Sequence, residues 1–282
     1  MLSQESLEKR FSLLIVALCI AVALTVLLEV HVETLWKTVS FLGSIEFYVA
    51  VLPIVYHSLY RREAVGLAFS LLLTGTLVGV TKDLLKMPRP PEALSEGYGF
   101  PSGHASGSTA FWGFLALKSP SSPLALTFLS IAGLVSISRI VLGEHYPRDV
   151  VGGLVLGFSL AIVSHLLTRR LETQSLTALS LALGVVGLAL FSVGYGALEP
   201  PAVMIGFSFA ELFLERQRIR VERAGPLLGA LGSVLAATVV VLAFATESSL
   251  VAIISYFLAG TLAVTIPKMI YRCWLEKGRG AD

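Results

Sequence analysis

Residues 63–83 read EAVGLAFSLLLTGTLVGVTKD, an apolar run from Ala64 to Thr81 that closes on Lys82 and Asp83. As a helix, such a run covers about 30 Å, the thickness of a bilayer's hydrocarbon core. Similar runs recur at 12–32, 40–60, 105–118, 124–143, 149–168, 175–194, 199–214, 226–246 and 249–270. The sequence therefore predicts an all-α, polytopic integral membrane protein of about ten helices. Two runs are weaker than the rest: 105–118 is short, and 199–214 contains Glu211. The first run follows Lys9 and Arg10 but is too long for a signal peptide and lacks a small-x-small cleavage site, so it reads as a retained helix.

Composition supports the same class. Of 282 residues, 55% are hydrophobic and 14% charged, with mean hydropathy +0.81, which excludes a soluble globular enzyme. A net charge of +2 excludes nucleic acid as the partner, because no Lys/Arg excess exists to neutralise phosphates. Cys19 lies in the first run and Cys273 beyond the last, so neither a disulfide nor a zinc site is expected. With the N-terminus inside, inner segments hold fifteen of the twenty-one Lys and Arg residues, which predicts both termini cytoplasmic. Of the six outer cations, all but Lys37 gather around the loops 84–104 and 139–149. The polar stretch from Thr168 to Ser175 is the clearest seam and divides the chain into 1–172 and 173–282. Gly75 with Gly79, and Gly153 with Gly157, read as close helix contacts.

Three islands of chemistry interrupt this apolar chain: Lys82 to Arg89-Pro90, Pro101-Ser102-Gly103-His104, and Ser138-Arg139 with His145 and Asp149. Each falls at a helix end expected on the outer face. Lys82, Arg89 and Arg139 suit a dianionic phosphoryl group, since an arginine can bind two oxygens at once. Ser102-Gly103 opens a helix, so its N–H groups and the helix dipole favour an anion. His104 and His145 supply two imidazoles, one able to attack phosphorus and one able to protonate the leaving oxygen. Asp149 follows His145 by four residues, where it can hold one ring nitrogen and define which is exposed. Lys37, Lys86 and Arg148 read as snorkelling anchors, and His31, His57 and His165 as hydrogen-bonded bystanders.

The combined pattern Lys-x6-Arg-Pro, Pro-Ser-Gly-His and Ser-Arg-x5-His-x3-Asp resembles the signature of the type 2 phosphatidic acid phosphatase superfamily, with all eleven specified positions present. That superfamily includes lipid phosphatases, glucose-6-phosphatase and vanadium haloperoxidases. The resemblance covers about residues 60–168, and the family's six-helix core extends it to roughly 10–170. It implies a phosphatase core over 1–172 and about four accessory transmembrane helices over 173–282, which look like those of the sphingosine-phosphate-phosphatase-like branch. It also implies that His145 forms a phosphohistidine, His104 protonates the leaving group and Asp149 orients His145. Lys82, Arg89, Ser102, Gly103 and Arg139 would hold the phosphoryl oxygens, with no metal or other cofactor. The partners implied are a lipid phosphate or pyrophosphate of phosphatidic acid, polyprenyl or sphingoid type, and the bilayer itself. The alternatives, in order, are a phosphatase of a soluble ester, an anion transporter and a vanadium haloperoxidase. A transporter needs ionisable groups near mid-membrane in several helices, whereas these gather at one face. The ten residues between Pro90 and Pro101 leave little room for a cap. Tyr98, Phe100 and Trp112 are expected to offer aromatic surface to a lipid chain.

Overall fold

In the computed structural model, which describes residues 32–219, 221–245 and 248–279, every element is helical. In chain order the helices are α1 (Val32–Phe41), α2 (Ile45–Ser58), α3 (Arg61–Leu85), α4 (Gly103–Lys118), α5 (Ser122–Val141), α6 (Pro147–Arg170), α7 (Thr173–Ser192), α8 (Glu199–Arg216), α9 (Pro226–Phe244) and α10 (Ser249–Arg279). The expected helix at 12–32, with Cys19, lies outside the described residues.

Helix boundaries follow local chemistry. Proline occupies the first positions of α5, α8 and α9, where its missing N–H costs nothing. Each remaining apolar run is helical, with two corrections: the run 40–60 is interrupted at Leu42, Gly43 and Ser44, and α1 occupies 32–41, most of which was expected to be a connection between runs.

Among the described residues, five helices are long and apolar enough to cross a membrane: α3, α5, α6, α7 and α10 over Ser249–Glu276. The pair α1 and α2, taken as one broken span, makes six. Helix α4, at 16 residues, reaches only about 24 Å. Helix α8 carries Glu199, Glu211, Glu215 and Arg216. Val151, Val155, Phe158 and Ile162 form an exposed apolar stripe along α6, as a lipid-facing helix requires. The chain is thus a multi-pass helical membrane protein.

The described residues divide into two compact units that interleave in sequence: 32–44 with 85–162, and 45–84 with the described residues from 163 onward. In the first unit α5 packs on α1 and α4. The α4–α6 contact is made by glycine: a Cβ on Gly153 would stand 2.8 Å from the Ser102 carbonyl, and one on Gly157 2.2 Å from that of Ser106. This pair therefore packs backbone on backbone, as its spacing suggests.

In the second unit α8 and α9 pack on α10, α2 packs on α9, and α7 packs on α8. Phe69, Leu72, Leu176, Met204, Phe207 and Leu214 form one buried cluster, while Leu198, Val240, Tyr256 and Ala259 belong to another. A polar knot lies within this unit. Glu211 accepts hydrogen bonds from Tyr56 Oη, Lys268 Nζ and Arg61 Nε, and Arg61 also binds Glu215. Lys268, one of the fifteen Lys and Arg residues assigned to inner segments, is a buried partner of Glu211 inside α10. His57 is a bystander as expected, its Nε2 donating to the Ala263 carbonyl at 2.8 Å.

Candidate active site

The first unit brings together Arg89, Ser102, Gly103, Arg139, His145 and Asp149. Helix α5 ends in a left-handed glycine cap. Gly143, at φ +71°, lets its own N–H reach the Ile140 carbonyl while the Glu144 N–H reaches that of Arg139 at 3.0 Å. The His145 N–H adds a second bond to the Arg139 carbonyl at 3.2 Å. One helix terminus thereby sets the spacing of Arg139, Glu144 and His145.

His145 stands in the turn before α6, and Asp149 lies in the first turn of that helix. Their approach comes from this turn rather than from a shared helical face, as the four-residue spacing alone suggests. His145 Nδ1 is 3.5 Å from Asp149 Oδ2, an oxygen that also accepts the Tyr146 N–H at 3.0 Å. The other ring nitrogen, Nε2, lies 3.1 Å from Arg89 Nη1. Asp149 is fully buried, and its backbone carbonyl accepts the Ser102 N–H at 2.9 Å, pinning the two islands together.

Ser102 is the N-cap of α4, yet its hydroxyl makes no capping bond. Ser102 Oγ, Arg89 Nε and Arg139 Nε are all buried and have no hydrogen-bond partner among the described residues. Buried donors of this kind, with Ser102 at a helix N-terminus, can serve an anion. His104 is the second residue of α4, with its ring beside Gly43. Lys82 lies in the last turn of α3 and belongs to the second unit.

Glu144 was not among the expected site residues. Its Oε2 lies 3.7 Å from Arg89 Nη1 and 3.6 Å from Arg139 Nη2, and accepts the Ser95 N–H at 3.3 Å. Its backbone carbonyl accepts from Arg89 Nη1 at 3.0 Å. Burial opposes its ionisation, but the Ser95 hydrogen bond and the Arg139 charge outweigh it and hold the carboxyl below the usual carboxylate range. Burial also lowers the Arg89 guanidinium, against the opposing pull of Glu144 and Asp149. An arginine nonetheless stays cationic at neutral pH. The one available signal for Glu144 was an isolated carboxylate in VLGEHY, directly before a histidine. Ser40, whose hydroxyl accepts from Arg139 Nη1 at 2.5 Å, offered no signal.

Two of the aromatics expected to offer surface to a lipid chain are partly buried and make packing contacts. Phe100 lies against Gly152, where a Cβ would stand 2.3 Å from its ring, and Trp112 stacks on Phe128 at 5.7 Å. Among the described residues no three His, Cys, Asp or Glu side chains meet as a metal would require. The arrangement can hold a dianion between guanidinium groups and a helix terminus while presenting an imidazole nitrogen to it.

A helical membrane protein with an anion cradle of this kind is the class that fold and site define. Residues 63–172 match the PAP2 superfamily. The chain is 30% identical to phosphatidylglycerophosphatase B of Bacillus subtilis, over 43% of this chain and 68% of that protein. It is 29% identical to lipid phosphate phosphatase 2 of Arabidopsis thaliana, over 38% of this chain and 50% of the relative. It is 28% identical to sphingosine-1-phosphate phosphatase 2 of Homo sapiens, over 44% and 35%. The chain spans about half the length of the first curated relatives it matches. No solved structure matches it. The chain belongs to the PAP2 superfamily.

Proposed function

We propose that this protein is an integral membrane lipid phosphatase that cleaves a lipid phosphomonoester or pyrophosphate through a phosphohistidine, without a metal. The observation that carries the reading is the setting of His145, with Nδ1 toward Asp149 and Nε2 toward the Arg89 guanidinium, beside the buried hydroxyl of Ser102. The names of the relatives, all phosphatases, support the reaction class.

In this mechanism Arg89, Arg139, Ser102 Oγ, the N–H groups at Gly103 and Lys82 bind the phosphoryl oxygens. Asp149 accepts a hydrogen bond from the Nδ1–H, which stays on the ring and leaves the Nε2 lone pair directed at phosphorus. A bond forms from Nε2 to phosphorus as the ester P–O bond breaks, and the departing oxygen takes a proton from the His104 imidazolium. Neutral His104 then removes a proton from water. The resulting hydroxide attacks phosphorus, the N–P bond breaks, and inorganic phosphate leaves with both histidines restored.

We assign this chemistry to residues 1–172 and an accessory role to the helices of 173–282, with about ten crossings, both termini cytoplasmic and the site extracytoplasmic. The test is acid-quench trapping of 32P-labelled protein from a labelled lipid phosphate, together with turnover. His145→Ala and His145→Asn should abolish both label and turnover while the protein stays monodisperse in detergent. Asp149→Asn should lose about 10⁴-fold in rate through the wrong tautomer. Turnover above about a tenth of wild type in either His145 variant refutes the assignment, since a nucleophile contributes far more than tenfold.

A further inference from the structure

Between the two guanidinium groups of the candidate site lies a carboxylate for which the phosphatase chemistry above has no use. Glu144 Oε2 is 3.7 Å from Arg89 Nη1 and 3.6 Å from Arg139 Nη2. Both separations allow attraction between charges but exceed hydrogen-bonding distance. Other groups orient the guanidinium ions: the Glu144 backbone carbonyl and His145 Nε2 meet Arg89 Nη1, and the Ser40 hydroxyl meets Arg139 Nη1. The carboxylate itself is held from the loop before α4, where the Ser95 N–H donates to Oε2 at 3.3 Å. The Glu144 side chain therefore acts on the two arginines through its charge.

That charge is present at neutral pH. Burial opposes it, but the Ser95 hydrogen bond and the Arg139 guanidinium hold the carboxyl below the usual carboxylate range. One of the two guanidinium charges is thus offset inside the site before any ligand arrives. A phosphoryl dianion bound by Arg89 and Arg139 meets a like charge a few ångströms away. At a partly buried site such repulsion weakens binding by about tenfold or more. The penalty falls alike on the phosphoryl group of a substrate and on free phosphate. Only the substrate has a remainder whose own contacts offset it.

We propose that Glu144 is an internal counter-charge that weakens the hold of Arg89 and Arg139 on inorganic phosphate and so limits inhibition by product. The inference rests on the phosphatase reading above and adds to it a residue that sets the balance between substrate and product binding.

The test measures the inhibition constants of inorganic phosphate and orthovanadate against hydrolysis of a long-chain alkyl phosphate by the full-length protein in one micelle system. Glu144→Gln keeps the volume and an acceptor for the Ser95 N–H while removing the charge, and it should lower both constants by about tenfold or more. Glu144→Ala removes the same charge and takes its place if the glutamine variant is not monodisperse in detergent. Glu144→Asp retains the charge and should keep both constants within about threefold of wild type. The direction of the change separates charge from architecture, because loss of a carboxylate that merely braced the site would raise both constants. The rise in melting temperature that vanadate confers gives a second readout, independent of turnover, and should be larger in the neutral variant than in wild type. Constants unchanged or raised in the neutral variant, or lowered as much by Glu144→Asp, overturn the proposal and leave the phosphatase reading intact. A wild-type protein that hydrolyses neither an alkyl phosphate nor an alkyl pyrophosphate refutes the phosphatase reading; the vanadate-induced rise then decides the counter-charge alone, a larger rise in the neutral variant supporting it and an equal or smaller one overturning it.

Discussion

Glu211→Gln tests whether the polar knot of the second unit is held together by charge balance. Glu211 is fully buried and accepts from Tyr56, Lys268 and Arg61, the last at 2.7 Å, while Arg61 reaches Glu215 at 2.5 Å. Two cations therefore meet two carboxylates. Glutamine keeps the volume and some hydrogen bonding but removes one negative charge, and it leaves Lys268, itself 4% exposed, with only the Tyr56 hydroxyl at 3.1 Å among these partners. Breaking a buried pair from one side costs about 3–5 kcal/mol, because the surviving charge stays desolvated. For a chain of this size that corresponds to about 10 °C in the apparent melting temperature. The assay is thermal unfolding in detergent, followed by the fraction that remains monodisperse, at one scan rate because such unfolding is often irreversible. Lys268→Met should cost less than Glu211→Gln, since Glu211 keeps Arg61 and Tyr56. The double variant Glu211→Gln/Lys268→Met leaves Arg61 balanced by Glu215 and should recover most of the loss. A fall of less than about 2 °C for Glu211→Gln, below what a 1 kcal/mol loss produces, or a double variant no better than the single, refutes the charge-balance reasoning.

Three further outcomes follow from the site and the topology. EDTA should leave phosphate release unchanged and orthovanadate should compete with substrate; loss of activity on chelation, restored by magnesium, counts against a cradle built of cations. A single cysteine introduced at Glu96 should react with an impermeant thiol reagent on intact cells, and one at Arg218 should not; the reverse pattern moves the site to the cytoplasm. Lengthening the alkyl chain of a phosphate ester at constant headgroup should raise kcat/KM, because remote binding energy helps commit the headgroup to the cradle; a flat series argues for a soluble substrate.

Helix positions were legible in the sequence because a bilayer imposes a coarse requirement, long uncharged runs, that local composition satisfies or fails. The residue types of the cradle were legible for a related reason. Charge is so scarce in this chain that Arg89, Arg139, His145 and Asp149 stand out against the apolar background. The break at Gly43 was not legible, because apolar composition persists through 40–60 while the helix does not. The burial of Lys268 was not legible, because its position near the end of the last run suits a loop as well as a buried partner, and only Glu211 on another helix distinguishes the two.

Sequence by itself thus determined the membrane class, most of the helix positions and the residues of a candidate anion site with a histidine–aspartate pair. Tertiary structure decided which atoms face which: His145 Nε2 toward Arg89, Glu144 between two guanidinium groups, Phe100 and Trp112 in packing contacts, and α1 across a cavity from Arg139. The physical reason is the range of the interactions involved. Helix formation and membrane partitioning depend on neighbours within a few turns, which the linear chain records. Hydrogen-bond direction, charge pairing and close backbone packing depend largely on residues distant in the chain, as in Glu144 with Ser95, 49 positions apart, and Glu211 with Tyr56, 155 apart, and only the folded chain brings them within reach.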